Sequence, residues 1–443
     1  MKQAKGPGAR IKFTKTEKSW ILYDWANSVY ATNIMAAIFP IYFTSVCGGD
    51  TLGLQWWGYG TSIATLVVAV MAPLLGAIGD YQGMKKKFFA FFMFFGVVCT
   101  LLMAIFDNWQ MLLVGYVLSY IGFAGSCLFY DSFLTDVTTS ERMDKVSAWG
   151  YAMGYIGGST IPFILSIVIL LIMGMDNPTA VKLTVVLTSV WWGIFSIPML
   201  KNVRQKHYLK APDHIVRNTF SNIGKTLRSI SRRKGLLFFI LAYFCYIDGV
   251  GTVIHMSTSY GETLHLDSVG MILALLVTQI VAVPCSILFG RLAEKAGSIR
   301  MIGISIGIYF LICLVGFYMG YSVEAANGAE EAIRRAEVLF WIMAAMVGMV
   351  QGGIQALSRS YFGKLIPANK SNEYFGFFDI FGKFATVVGP LLVSLVTDLT
   401  NRSSLGILSL LVLFAAGGLL LFLGRNRMKA EEQAVKLEEA REE

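Results

Sequence analysis

"GAIGDYQG" at residues 76–83 and "GRLAEKAG" at residues 290–297 follow one pattern, G-x-[IL]-x-[DE]-x-x-G. Each copy follows an apolar run long enough to cross a bilayer. In the first copy the fixed positions are Gly76, Asp80 and Gly83; in the second they are Gly290, Glu294 and Gly297. The glycines allow a tight turn and close helix contact, and an acid placed there can face the positive N-terminus of a neighbouring helix. Two more pairs repeat at similar offsets. Asp24 is matched by Asp248, and "WGYAMGYIGGSTIP" by "FGFFDIFGKFATVVGP", aligning Gly150 with Gly376. Such repetition indicates two parallel copies of a six-helix unit.

Composition agrees. Of 443 residues, 55% are hydrophobic and 15% charged, where a soluble domain carries about a quarter charged residues. Twelve apolar spans are predicted, at 20–46, 54–79, 88–106, 109–133, 147–173, 180–200, 236–260, 268–293, 299–321, 338–361, 374–397 and 404–424. The fold class is an all-α integral membrane protein of twelve transmembrane helices in two six-helix pseudo-repeats. Its parts are an N-terminal segment (1–19), a first bundle (20–200), a basic linker (201–235), a second bundle (236–424) and a charged tail (425–443). The linker reads as a solvated connector at the membrane surface, with lipid binding as the alternative. The segment 322–337 reads as a short polar helix, and the tail as a charged one.

The formal charge of +9 does not indicate nucleic-acid binding. Of the 37 Lys and Arg, only Lys182, Arg334, Arg335 and Arg402 fall on one side of the membrane, and Arg359 and Lys383 lie inside spans. All the others fall on the opposite side. This positive-inside asymmetry puts both termini in the cytoplasm. No cleavable signal peptide is expected, because the first apolar run is too long for one. The six cysteines show no paired spacing, and the four histidines no ligand spacing. No metal or cofactor is therefore expected, and no enzymatic activity. Without a G-x-x-x-x-G-K-[ST] loop, this chain does not drive transport with ATP.

An ionisable side chain inside the membrane costs roughly 2.5–3.5 kcal/mol on insertion scales, so it pairs or faces a cavity. Asp24, Asp131, Arg359 and Asp379 lie near the cytoplasmic ends of spans 1, 4, 10 and 11. Asp24, Asn27, Asp131 and Arg359 are gate candidates, and Asp131 is expected to pair with Arg359 across the halves, with Asp24 competing. Asp248, Thr252, His255 and Ser259 make one polar stripe on span 7. Substrate or proton candidates are Asp248, Thr252, His255, Gln279, Gln351, Gln355, Asp379, Lys383 and Asn33. Asp248 reads as the coupling acid, and an acid on span 7 with Lys383 on span 11 suits a zwitterion.

The glycine–acid loop resembles that of the major facilitator superfamily. "YDWANSVYAT" (23–32), "QGGIQALSRSYFGKLIP" (351–367) and "NEYFGFFDIFGK" (372–383) resemble its vacuole effluxer, Atg22-like branch. The likeness covers nearly the whole chain. It implies the major facilitator fold and a secondary transporter working by alternating access. It also implies contact of Asp80 with the region near Asn372–Phe375 and of Glu294 with the region near Ser147. Tyr155 stands where the superfamily's antiporter motif has proline, so exchange with a counter-substrate gains no support. The expected activity is proton-coupled movement of small organic solutes, amino acids or related zwitterions favoured, across a bacterial cell membrane by a monomer. The alternatives are export of amphipathic drugs or other metabolites, a lipid flippase, or a transporter-like receptor.

Overall fold

The structure, a computed structural model, describes residues 12–47, 50–174, 177–210 and 215–442. The side chains of 215–223 and of 383–386, Lys383 among them, lie outside the described ones. Among the described residues, twelve helices are long and apolar enough to cross a membrane. Spans 1–6 are Lys15–Val46, Gln55–Gly79, Met84–Met103, Trp109–Val137, Met143–Met173 and Pro178–Asn202. Spans 7–12 are Lys234–Thr263, Leu273–Ala296, Ser298–Ala325, Glu330–Leu365, Ala368–Thr400 and Ser403–Glu438. With an even number of crossings, both chain ends lie on one side, here the terminus side. Apolar side chains such as Ile172, Leu399 and Phe422 point outward, as a chain solvated by lipid requires.

Three sequence expectations are corrected. The segment 322–337 is no separate helix: it is the end of span 9, a turn at 326–329, and the start of span 10. The tail continues span 12 rather than forming a helix of its own. The linker is not a free connector. Its first part binds the first bundle: Leu209 pairs with Tyr81, its N–H donating to the Asp80 carbonyl at 2.8 Å. Asp136 accepts the N–H groups of Lys206 and His207 at 2.7 and 2.9 Å. A helix at Ile215–Arg232 then runs to the second bundle, where Ser229 bonds Tyr374 at the start of span 11.

The glycine–acid loop joins the two bundles. Gly83, at φ +75°, makes the turn into span 3. Gly76 sits so near span 11 that a Cβ would come 2.5 Å from the Asn372 carbonyl oxygen. That approach lets Asp80 accept the N–H groups of Asn372 and Glu373, at 2.9 and 3.1 Å, and the Asn372 amide at 3.0 Å. The carboxylate therefore caps the N-terminus of span 11, where helix-end donors favour negative charge.

The second copy keeps only the packing. Gly290 meets Ala148 and Asp144 of span 5, but Glu294 is exposed. The start of span 5 already carries its own carboxylate, Asp144, where span 11 offers Asn372. A second acid there would meet like charge.

Burial, outweighing the Lys85 charge and the two backbone donors, pushes Asp80 up to about 7. Exposed to water after the bundles part, it has an ordinary value of about 3.9. The joined state thus holds the Asp80 proton more tightly than the parted one. The extra stability is complete below the lower value and is lost as pH rises through the upper one. Spin labels at Gln82 and Lys370 should report a joined fraction that falls between about pH 4 and pH 7. Asp80→Asn should remove that dependence; if the variant keeps it, another group is responsible.

Candidate functional site

Arg359 lies in span 10 and is buried. Its Nη1 donates to Asp131 of span 4 at 2.9 Å, and its Nη2 to Asp24 of span 1 at 3.2 Å. Nε donates to the Ser147 hydroxyl at 3.0 Å, and Nη2 also reaches the Ser147 carbonyl at 3.2 Å. Around the guanidinium stand the rings of Tyr151 and Trp20, 4.5 and 4.7 Å from Cζ, with Tyr130 at 5.4 Å. Arginine suits such a place, since its flat cation both stacks and forks. Gly150 leaves the room for it: a Cβ there would come 2.5 Å from an Asp24 carboxylate oxygen and 3.0 Å from Nη2. The sequence offered Asp131 and Asp24 as competitors; the structure gives Arg359 both. Asn27, buried one turn along span 1, takes none of its bonds.

Two more buried ion pairs flank this one on the terminus side, and sequence reading missed both. Lys364 of span 10 donates to Asp144 at 2.5 Å, while Ser360 and Ser298 donate to the same carboxylate at 2.6 and 2.8 Å. Lys85 of span 3 donates to Asp136 at 2.7 Å and to Ser371 of span 11 at 2.8 Å. Ser132 bonds Asn372. These residues obey a register that the sequence does contain. Adding 228 takes Asp131 to Arg359, Ser132 to Ser360, Asp136 to Lys364 and Asp144 to Asn372. Equivalent positions carry acids in the first half and bases or an amide in the second. At Asp131 and Arg359 the equivalent positions are opposite in charge and meet each other directly.

Beside the Arg359 cluster lies a cavity of about 320 Å³. Leu128, Asp131 and Tyr151 line it from the first half, and Tyr243, His255, Gln355, Arg359 and Asp379 are among its lining residues from the second. Of the sequence candidates, His255, Gln355 and Asp379 thus come together with the gate pair. The others do not line it. Asn33 is fully buried within the first bundle, in a π-helical stretch at Ala31–Ala37, and donates to Ser166 and Thr188. Asp248 is equally buried, and both its oxygens accept the Gly389 N–H, at 3.0 and 2.9 Å. Thr252 donates back to the Asp248 carbonyl. The polar stripe of span 7 therefore splits, His255 facing the cavity and Asp248 with Thr252 facing span 11. Gln279 and Gln351 lie outside the lining, and the Lys383 side chain is not described.

The family described as vacuole effluxer, Atg22-like, matches residues 57–435. The chain belongs to this branch of the major facilitator superfamily. This Atg22-like transporter is 45% identical over 417 residues to the uncharacterized MFS-type transporter YxiO of Bacillus subtilis (strain 168), covering 92% of this chain and 94% of that one. It is 22% identical over 482 residues to autophagy-related protein 22 of Eremothecium gossypii, covering 94% and 92%. The proton:xylose symporter XylE shares its fold with a TM-score of 0.68 at 9% identity, over 92% and 94% of the two chains. A bacterial homologue of the iron transporter ferroportin, in an outward-facing state, does so at 0.67 and 13%, over 93% and 98%.

Arg359→Ala would leave two carboxylates facing each other without a cation. Breaking this pair should cost roughly 1–3 kcal/mol in the closed state, shifting a two-state equilibrium about five- to 150-fold toward opening on the terminus side. Thiol labelling of Ser132→Cys, on a cysteine-free background, should rise accordingly. Unchanged labelling would show that the cluster does not hold the halves together.

Proposed function

We propose that this protein is a secondary transporter that moves small polar organic solutes, amino acids and related zwitterions foremost, across a bacterial cytoplasmic membrane. One observation carries the reading. A cavity bearing carboxylates and a guanidinium lies between the two halves, directly beside the ion pairs that join them. A solute bound there touches both halves, and its charges compete with the contacts that keep one side shut. Alternating access needs that arrangement, since a ligand shifts an equilibrium only by its differential interaction with the two states.

The terminus side is the cytoplasm in this reading, by the Lys and Arg distribution. The state described is then closed to the cytoplasm. The cavity suits an amino-acid-sized solute: Leu128, Ile247, Val250 and Ile254 offer an apolar wall, and Asp131, Asp379 and Arg359 the polar anchors. Proton coupling falls to a carboxylate of this cavity rather than to Asp248, which is bonded away from it. The name of the matching family, a vacuole effluxer, supports solute transport as a class and leaves the solute and its direction to be measured.

Single cysteines test the orientation. Lys225→Cys should react with an impermeant thiol reagent only from the cytoplasmic side, and Ala329→Cys only from outside. Stabilisation of the purified protein, screened over amino acids, sugars, peptides and drugs, followed by flux in proteoliposomes, tests the substrate class. Amino acids should stabilise and should accumulate under an imposed proton gradient. Stabilisation by amphipathic drugs alone would replace this reading.

A further inference from the structure

The bonds of Arg359 are not equivalent. Nε and Nη2 are held at the back of its pocket by Ser147 and by Asp24, whose side chain is 13% exposed. Among the described residues Nη1 bonds Asp131, whose side chain is 34% exposed and lines the cavity. The rings of Trp20 and Tyr151 contact the guanidinium independently of that partner. Arg359 therefore presents one donor edge to the cavity, covered by a carboxylate that belongs to the opposite half.

We infer that Nη1 of Arg359 is the carboxylate-recognition site of this transporter, and that Asp131 is its exchangeable cover. The inference rests on the transport reading above and names the group of the solute that is recognised. Asp131 takes one proton from the aqueous cavity and releases Nη1. An oxygen of the solute's carboxylate then accepts from Nη1 in its place. The guanidinium stays neutralised throughout, so one proton accompanies each carboxylate. The exchange also does mechanical work. Asp131 is an anchor of the first half, whereas a solute is tethered to neither half. Replacing one by the other removes a cross-half bond and leaves Asp24 as the remaining ionic tie of Arg359. Loading thus loosens the closure, and an empty, deprotonated site restores it.

Other groups around Asp131 fit the assignment. Tyr130 stands beside it on its own helix; Asp24, Tyr151, Tyr243, His255 and Asp379 face this region from spans 1, 5, 7 and 11. Two further carboxylates, Asp24 and Asp379, stand near the same guanidinium. Charged hydrogen bonds of this kind contribute roughly 1.5–3 kcal/mol, about ten- to 150-fold in affinity.

The test uses full-length protein and three matched probes: L-leucine, 4-methylpentanoate, which lacks the amine, and L-leucinamide, which lacks the carboxylate. Thermal stabilisation is measured at about pH 5.5 and about pH 7.5, on either side of a plausible working range. Leucine and 4-methylpentanoate should stabilise, more so at the lower pH, and leucinamide should not. Asp131→Asn should bind both carboxylates without that pH dependence. Arg359→Lys should weaken them at least about tenfold. Leucinamide binding as well as leucine, or a wild-type pH dependence in Asp131→Asn, overturns the inference while the transport reading stands. If none of the three stabilises, the amino-acid reading fails and the inference falls with it.

Discussion

A guanidinium inside a membrane protein has to be neutralised, and Arg359 finds its two carboxylates only across the junction of the halves. Neither bundle can satisfy the group alone: Asp24, Asp131 and Ser147 all belong to the first and Arg359 to the second. Burying such a cation without partners would be costly, so the closed arrangement is tied to this cluster. The Asp144–Lys364 pair, the Lys85–Ser371 bond and the Asp80 cap extend the same logic along the terminus side. At Asp131 and Arg359, charge inversion between equivalent positions lets two copies of one unit attract. Identical charges at those positions would repel.

Much of this was legible in the sequence because it depends on hydropathy and repetition. Long apolar runs located all twelve spans, and the loop's resemblance to the major facilitator motif implied that Asp80 would meet the start of span 11. An arginine inside a span pointed to nearby acids. What escaped lies where the hydrophobic signal fades. Lys85, Asp136, Asp144 and Lys364 sit in the first or last turns of helices, in segments that hydropathy assigns to loops. Yet they are buried. The spacing of 228 between Asp136 and Lys364 was available, but it requires aligning residues of opposite charge, which a search for similarity passes over.

Asp248 lies off the cavity for a different reason. A polar stripe establishes that residues share a face of a helix, not what that face meets. Span 7 borders both the cavity and span 11, and its rotation is set by packing. The stripe is wide enough to divide, leaving His255 on the cavity and Asp248 on the Gly389 N–H. Glu294 failed because a repeated motif does not guarantee a repeated partner: one helix start offers an amide, the other a carboxylate.

The central claim is that the halves part on the terminus side during each cycle, breaking contacts now made there. Ser132 and Asn372 touch across that junction and are buried in it. Cysteines at both positions, on a cysteine-free background, allow a disulfide to hold the junction shut. Flux of the solute identified by screening should stop when the pair is oxidised and return when it is reduced. Undiminished flux through fully cross-linked protein would contradict the account.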